Sequence, residues 1–322
     1  MIPPRVAYEI EPGLIEEAVV LIRRSTPQHA FWKERALIYE TPDPEERDRL
    51  FIQLHARENE VLQLTAPLLQ AILEQPFIVS RVKVCRVLRA KTFRDEGAEL
   101  FVATNDSQTS SAVLVRLRPS TVVNPELQLT LLRHEMQHIA DMLDPNFKYD
   151  PTPDVLDLEP ARTRLVLDRY RTLWDTTIDG RLLRRSHAAP QARALREGQF
   201  HAAFGGLKER CAAEFERWFL EERPTHPEML RFASDPVAAT SETGQRSESS
   251  GICPLCRCPS TVTRMPPGER GALVAQEARR DFPHWTPADG LCPQCFELYA
   301  ARPLSRAALE TLPRASRAST GV

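Results

Sequence analysis

The order of apolar and polar residues predicts that the first part of the chain, residues 1–75, is mostly helical. Asp43 followed by Pro44 is typical of a helix start, because the aspartate caps the free backbone N–H groups and proline fits the first helical position. Apolar residues then recur at helical spacing from Leu50 to Leu64, until the next proline interrupts the pattern.

A different pattern follows Pro76, where β-branched residues predict strands. Val82, Val84 and Val87 form one run, and residues 99–103 and 112–117 form two more. The polar stretch between the last two runs predicts a hairpin. Strands placed between helical segments predict an α+β fold that is mainly helical and contains a small sheet.

Helix-start residues and helical spacing predict three helices in the next hundred residues. The first begins at the N-cap Asn124 and ends before the Asp-Pro pair at 144–145. The second runs from Pro160 to Ile178 and ends near Gly180, since glycine often follows the last helical residue. The third covers residues 207–220.

Composition along the chain predicts two domains joined by a linker. Residues 1–233 form the large domain, and residues 251–300 form a small cysteine-rich module. Between them, residues 234–250 contain almost nothing that could fill a core, so we expect a disordered linker. Residues 301–322 read as a weakly helical, flexible tail.

The overall composition excludes some classes of protein. The chain has 322 residues, of which 42% are hydrophobic and 27% charged, as in an ordinary globular protein. Lys and Arg number 42 against 44 Asp and Glu, and the net charge of −2 argues against a general polyanion binder. No apolar run approaches the roughly 18 residues that cross a bilayer, so we expect no membrane contact. The first apolar stretch contains Glu16 and Glu17, which argues against a signal peptide and predicts a cytoplasmic protein.

The seven cysteines are unevenly distributed, with five of them in the last quarter of the chain. Cys253 and Cys256 form one Cys-x-x-Cys pair, and Cys292 and Cys295 form another. This is a metal-binding pattern rather than a disulfide framework, which agrees with a reducing compartment. The isolated Cys85 and Cys211 are predicted to be buried core thiols.

The central helix carries the sequence His-Glu-x-x-His at positions 134–138. Four residues span slightly more than one helical turn, so His134 and His138 lie on one face and can share a metal ion. Glu135 lies beside them and can take a proton from a metal-bound water. The alternative is a histidine pair that is merely solvated or packed in the core. The capped helix that follows the predicted strands favours the metal site.

This motif, on a helix that follows an edge strand, resembles the zincin metallopeptidases over roughly residues 95–180. The resemblance implies that His134 and His138 are zinc ligands and that Glu135 is the general base. It also implies an edge strand, here placed at 112–118, that aligns an extended peptide. Beyond the motif the chain matches no named peptidase family well and looks like a bacterial zincin-like protein.

The third zinc ligand is open, because several carboxylates follow the motif. In the metzincin arrangement it lies six residues after the second histidine, which is Asp144 here. That arrangement requires glycine where this chain has Asp141, and an early downstream Met-turn is absent. In the gluzincin arrangement a second helix supplies the carboxylate, and Glu159 is one candidate.

A stripe of polar residues on the next predicted helix provides the other candidates. Asp168, Thr172, Asp175 and Asp179 are spaced four, three and four residues apart, so they share one face. Such a stripe is commonly solvated. Apolar neighbours nevertheless indicate that this helix is packed. We therefore predict Asp175 as the third ligand and Asp179 as the partner of a histidine.

The C-terminal module resembles a zinc-ribbon or treble-clef finger. Its two cysteine pairs are separated by 35 residues, and four thiolates complete a closed tetrahedral zinc site. Helices are predicted at 271–280, within the insert, and at 296–301, after the second pair. Cys258 is a spare that could replace Cys256. A redox dithiol is the alternative, but two pairs favour structural zinc, without which so small a module would not fold.

These features together predict a cytoplasmic zinc metallopeptidase with one catalytic and one structural zinc. Its substrate would be a peptide or protein, and the finger would recruit that substrate or a protein partner. The first alternative is a non-catalytic adaptor in which both metals are structural. The second is a DNA-associated protease, since the finger carries arginines, although no aromatic ladder for stacking on bases accompanies them.

Overall fold

The structure is a computed structural model and describes residues 6–26, 28–105, 108–153, 160–188, 191–240, 252–257, 262 and 265–311. Over these residues the chain is mainly helical and contains a four-stranded sheet, which confirms the predicted α+β class. Two compact units can be distinguished. The sheet unit comprises Met1–Tyr149, Ile178–Arg193 and Glu221–Thr225, and the finger unit comprises Asp150–Thr177, Ala194–Leu220 and His226–Val322.

The sheet unit is built on a mixed sheet with the strand order β1-β2-β4-β3. Strand β1 (Ala7–Ile10) pairs in parallel with β2 (Val82–Arg89), and β2 pairs in parallel with β4 (Gln108–Leu117). Strands β3 (Gly97–Asn105) and β4 form an antiparallel hairpin. The three predicted strands and the hairpin are therefore confirmed, whereas β1 was not predicted.

Helices pack on this sheet through their apolar faces. The longest buried face belongs to the helix that carries the histidine motif, which contributes Leu132, Met136 and Ile139 to the core. Asn124 caps this helix, since its side chain accepts a hydrogen bond from the backbone N–H of Leu127 at 3.1 Å. The helices are α1 (Pro12–Ser25), α2 (His29–Tyr39), α3 (Pro44–Leu62), α4 (Ala66–Leu73), α5 (Pro76–Arg81), α6 (Pro119–Val122) and α7 (Pro125–Leu143).

The prediction that residues 112–118 form an edge strand is wrong. Strand β4 lies between β2 and β3, so the edge strand that packs near α7 is β3. Both strands are apolar enough for the interior, and the sequence pattern alone does not distinguish them. Which strand lies at an edge depends on pairing with β2, and such pairing across the sequence leaves no local signal.

Helix α8 (Pro160–Arg184) is longer than predicted, because it continues through Gly180. A glycine inside a helix costs only about 1 kcal/mol. Ile178 and Leu182 on either side are fully buried, and burying two such side chains contributes about 3–6 kcal/mol. Packing therefore outweighs the local helix-ending tendency of glycine.

The finger unit contains an aromatic cluster and the cysteine module. The predicted helix 207–220 begins at Cys211, because residues Gly205–Arg210 form a 3₁₀ turn in which Lys208 has a positive φ. The predicted linker contains a short helix at its start, and its residues 241–250 lie outside the described residues, as does the tail from 312 onward. The remaining helices are α9 (Gln191–Phe204), α10 (Cys211–Leu220), α11 (His226–Ser234), α12 (Pro236–Thr240), α13 (Glu269–Asp281) and α14 (Pro293–Thr311).

Candidate metal centres

One face of α7 carries two imidazole rings side by side. The ring centroids of His134 and His138 are 5.0 Å apart, and the ring planes are inclined at 71°. Both side chains are partly buried rather than fully solvated. The helix thus presents two nitrogen donors close together, as the four-residue spacing predicts.

Asp179 orients one of these rings. Its Oδ1 lies 2.7 Å from Nδ1 of His134, and both side chains are largely buried. A carboxylate on Nδ1 favours the tautomer with its proton there, which leaves Nε2 as a lone-pair donor. Histidines that bind metals commonly have a carboxylate in this position. The structure therefore places Asp179 where the sequence analysis expected a partner for a histidine.

Asp175 lies one turn before Asp179 on α8. His134 and His138 belong to the sheet unit and Asp175 to the finger unit, so Asp175 as the third ligand stays a prediction. Oδ2 of Asp175 pairs with Nη1 of Arg196 at 3.1 Å, an ion pair that the sequence analysis did not anticipate. Two nitrogens and one oxygen form a donor set that zinc accepts in sites with an open position.

The other carboxylates considered as ligands bond elsewhere or lie outside the described residues. Oδ1 of Asp144 accepts a hydrogen bond from the backbone N–H of Asn146 at 2.8 Å, just after the end of α7. Asp168 is exposed and pairs only loosely with Arg171, as expected of a solvated surface. Glu159 lies outside the described residues.

Glu135 contacts the edge strand of the sheet. The backbone N–H of Ala98 on β3 donates a hydrogen bond to Oε2 of Glu135 at 3.0 Å. The neighbouring Gly97 has a φ of +152°, and a Cβ atom there would lie 3.4 Å from Oε2 of Glu135. Glycine permits this φ, which residues with a Cβ atom rarely adopt, whereas 3.4 Å is an ordinary van der Waals distance. The contact joins residues 37 positions apart, and sequence reasoning missed it.

A buried ion pair joins α7 to α8 near the histidines. Nη1 and Nη2 of Arg181 donate to the two carboxylate oxygens of Asp141 at 2.8 and 2.7 Å. Gln137 donates a further hydrogen bond to Asp141 at 3.0 Å. The two charged side chains are only 5% and 7% exposed, so each charge depends on its partner for compensation.

We expect Arg181→Met to lower the free energy of unfolding by about 3–5 kcal/mol, because it leaves the Asp141 carboxylate buried without its partner. Urea unfolding followed by circular dichroism measures the change. The control is Arg57→Met, which removes one side of an exposed pair with Glu34 and should cost less than about 1 kcal/mol. If the two substitutions lowered the free energy of unfolding equally, the pair of Asp141 and Arg181 would not act as a buried ion pair.

The C-terminal module brings four cysteines together, as the sequence predicts. The Sγ atoms of Cys253 and Cys295 are 3.9 Å apart, and those of Cys256 and Cys292 are 3.7 Å apart. Zinc–sulfur bonds of about 2.3 Å in a tetrahedron place sulfurs about 3.8 Å apart. A disulfide would require a separation of about 2.05 Å. The four buried thiols therefore form a group that fits a metal ion such as zinc.

Backbone N–H groups support the sulfur atoms. The N–H of Cys292 donates to Sγ of Cys253 at 3.3 Å, and the N–H of Cys295 donates to Sγ of Cys292 at 3.4 Å. Arg257, just after the first pair, adopts a positive φ that closes the turn. Hydrogen bonds from Cys256 and the other two thiols lower the pKa of Cys253, which favours a thiolate.

The other cysteines and the finger arginines are less informative. Cys85 and Cys211 are buried core thiols, as predicted, and burial raises the pKa of Cys85 to about 12. Arg270 pairs with Glu297, so part of the basic character of the finger is neutralised. The spare Cys258 lies outside the described residues.

The last observations concern membrane-spanning helices and similarity to known proteins. Across the described residues, no helix is both long enough and apolar enough to span a bilayer. Comparison of the chain with family models, with curated proteins and with solved structures finds no match.

Proposed function

We propose that this chain is a zinc-dependent metallopeptidase. The observation that carries the proposal is the pair of imidazoles on α7, of which His134 is oriented by Asp179 at 2.7 Å. A histidine that is simply packed in the core does not need a carboxylate on Nδ1 and a second imidazole beside it. A metal-binding histidine benefits from both.

His134, His138 and Asp175 would hold the catalytic zinc ion. Three protein ligands leave one position of a tetrahedral site for water. When bound, zinc acts as a Lewis acid and lowers the pKa of a coordinated water to about 7. The ion pair with Arg196 holds the Asp175 carboxylate in place.

Glu135 would act as the general base. It follows His134 directly on α7, so its side chain lies beside the histidines. The backbone N–H of Ala98 fixes Oε2, whereas Oε1 makes no hydrogen bond within the part of the chain that the structure describes. Oε1 is therefore the oxygen that we expect to accept the proton of the attacking water and to pass it to the leaving amine.

The edge strand β3 would align the substrate. The N–H of Ala98 is directed away from β4, toward Glu135. Backbone direction alternates along a strand, so Leu100 and Val102 present their N–H and C=O groups on the same outer edge. An extended peptide can pair with such an edge, and pairing there leads it to Glu135.

The finger would recruit the substrate or a protein partner. Its four cysteines leave no open position on a metal ion, so a zinc bound there is structural rather than catalytic. The closed site and the small core around Trp285 and Tyr299 are consistent with a compact module whose surface is available for binding.

The first test is metal content together with peptide hydrolysis by the full-length protein. We expect two zinc ions per chain, and cleavage of denatured casein that a chelator abolishes. In His138→Ala we expect one zinc and no cleavage. The matched control is His29→Ala, which changes an exposed histidine at the start of α2. This variant should retain two zinc ions and full cleavage.

Two outcomes would overturn the proposal. One zinc in the wild-type protein, unchanged by His138→Ala, would mean that the histidine pair binds no metal. Two zinc ions without cleavage of casein or any peptide mixture would favour an adaptor in which both metals are structural.

A further inference from the structure

A cavity of about 550 Å³ opens beside Glu135 and the start of β3. Gly97, Ala98 and Glu135 are among its lining residues. The same contact between Ala98 and Glu135 positions the carboxylate that we propose as the base. A group bound in the cavity would therefore lie next to the bond that reacts.

Four acidic and four basic side chains line this cavity, so the wall is formally neutral. Net charge alone therefore selects no ligand. The unused capacity for hydrogen bonds is a better guide, because a charged group that is already paired contributes little to a new ligand.

Three of the acidic side chains are already bonded. Asp95 accepts hydrogen bonds from the backbone N–H and the hydroxyl of Thr92 at 2.8 and 2.9 Å. Glu96 accepts from the backbone N–H and Nε of Arg118 at 2.9 and 2.7 Å. Glu99 pairs with Arg116 at 2.6 Å, and Arg116 is one of the four cations.

Two of the basic side chains form no direct ion pair among the described residues, although the charge of Lys91 helps to lower the pKa of Asp95, after its hydrogen bonds from Thr92. Arg89 and Arg116 pair with Glu17 and Glu99, whereas Lys91 and Arg94 form no ion pair. Arg94 only lies over the ring of Phe93, with 5.6 Å from its guanidinium carbon to the ring centroid. Lys91 offers three N–H donors and Arg94 offers five. Apart from Oε1 of Glu135, which the proposed base uses, the unused hydrogen-bonding capacity of the lining is therefore that of donors.

We propose that this cavity, through Lys91 and Arg94, binds a substrate carboxylate next to the scissile bond. The inference rests on the proposed peptidase function and names its substrate class, peptides with an acidic group beside the cleaved bond. The carboxylate could come from an Asp or Glu side chain or from a free C-terminus. Both sources give charge-assisted hydrogen bonds to the same two cations.

The test compares peptides that differ only in this carboxylate. A digest of denatured casein locates the cleaved bonds, and one cleaved sequence is then synthesised with Glu or Gln at the enriched position. A second pair ends in a carboxylate or an amide. We expect the carboxylate form to have a roughly ten- to hundredfold higher kcat/KM, the range that a hydrogen bond to a charged group provides. A difference in kcat/KM within the Glu and Gln pair identifies a side-chain carboxylate. A difference within the second pair identifies the C-terminal carboxylate.

The double variant Lys91→Met, Arg94→Met should abolish this preference. Cleavage of the neutral peptide should change less than about threefold, because the wall around Glu135 is intact. The control Arg57→Met, Arg86→Met removes two exposed cations of the same unit and should keep the preference. Two results would overturn the inference. The first is that the wild-type protein cleaves the two peptides of each pair at equal rates. The second is that the preference for the carboxylate peptide survives in the double variant.

A binding measurement separates this inference from the proposed function. Two synthetic peptides that differ only in Glu or Gln at one position are labelled with a fluorophore, and their anisotropy is followed with Glu135→Gln protein, which should bind without cleaving. Cleavage without preference would leave a peptidase that lacks this subsite. Binding that the double variant loses, in a protein that cleaves nothing, would support the carboxylate site and overturn the peptidase.

Discussion

Glu135→Gln is expected to retain both zinc ions and to lower kcat for peptide hydrolysis by about 10²- to 10⁴-fold. The substitution removes a proton acceptor, and general acid–base catalysis contributes rates of that size. The zinc content should be unchanged, because Glu135 is not among the proposed ligands. The glutamine carbonyl can still accept the hydrogen bond from the backbone N–H of Ala98, so the local fold should persist. Steady-state kinetics and metal analysis of the same sample measure both quantities.

The matched control is Glu126→Gln, which changes an exposed glutamate in the first turn of the same helix. It should leave hydrolysis within about twofold of wild type. A Glu135→Gln enzyme with full activity would contradict the assignment of the base, and another group would then have to accept the proton. Loss of zinc in this variant would indicate that the carboxylate binds metal.

The local parts of the site were predictable, because helix geometry alone places His134 beside His138. The cap at Asn124 and the proline after it are equally local, and the structure has both. The same holds for the two cysteine pairs, since two residues between cysteines bring their sulfurs to one point. In each case the residues that cooperate are close in the sequence.

The acidic stripe on α8 was predictable only in part. Helical spacing places Asp168, Asp175 and Asp179 on one face, and all three could have been solvated. The structure separates them, since Asp168 is exposed whereas Asp179 is bonded to His134. Spacing shows which residues share one face of a helix. Which of those residues another helix covers depends on tertiary packing.

The contacts that tie the site to the sheet could not be predicted. The hydrogen bond from Ala98 to Glu135 requires β3 to be the edge strand, and the sequence analysis placed the edge at 112–118 instead. The ion pair between Asp141 and Arg181 spans 40 residues. Each residue alone reads as an ordinary surface charge. Long-range pairs of this kind leave no periodic pattern in the sequence.

Cys292→Ser is expected to remove one zinc ion per chain and to unfold the finger. The four sulfurs lie in a small core with few large apolar residues, so metal binding and folding of the module are one process. Zinc contributes about 10–16 kcal/mol in such modules at neutral pH. A serine hydroxyl at this position is a far weaker ligand than a thiolate. The lost free energy of zinc binding should therefore exceed the free energy of unfolding of the module.

Hydrogen exchange measured by mass spectrometry follows the unfolding region by region. We expect the amides around Trp285 and Tyr299, which are buried in the finger core, to lose protection in the Cys292→Ser protein. The amides of strands β2 and β4 provide an internal reference. The control Cys85→Ser changes a buried thiol of β2 and should keep both zinc ions, at a cost of a few kcal/mol at most. If the Cys292→Ser protein kept its zinc and its protection, the four thiols would not be a structural metal site, and the redox dithiol would become the better hypothesis.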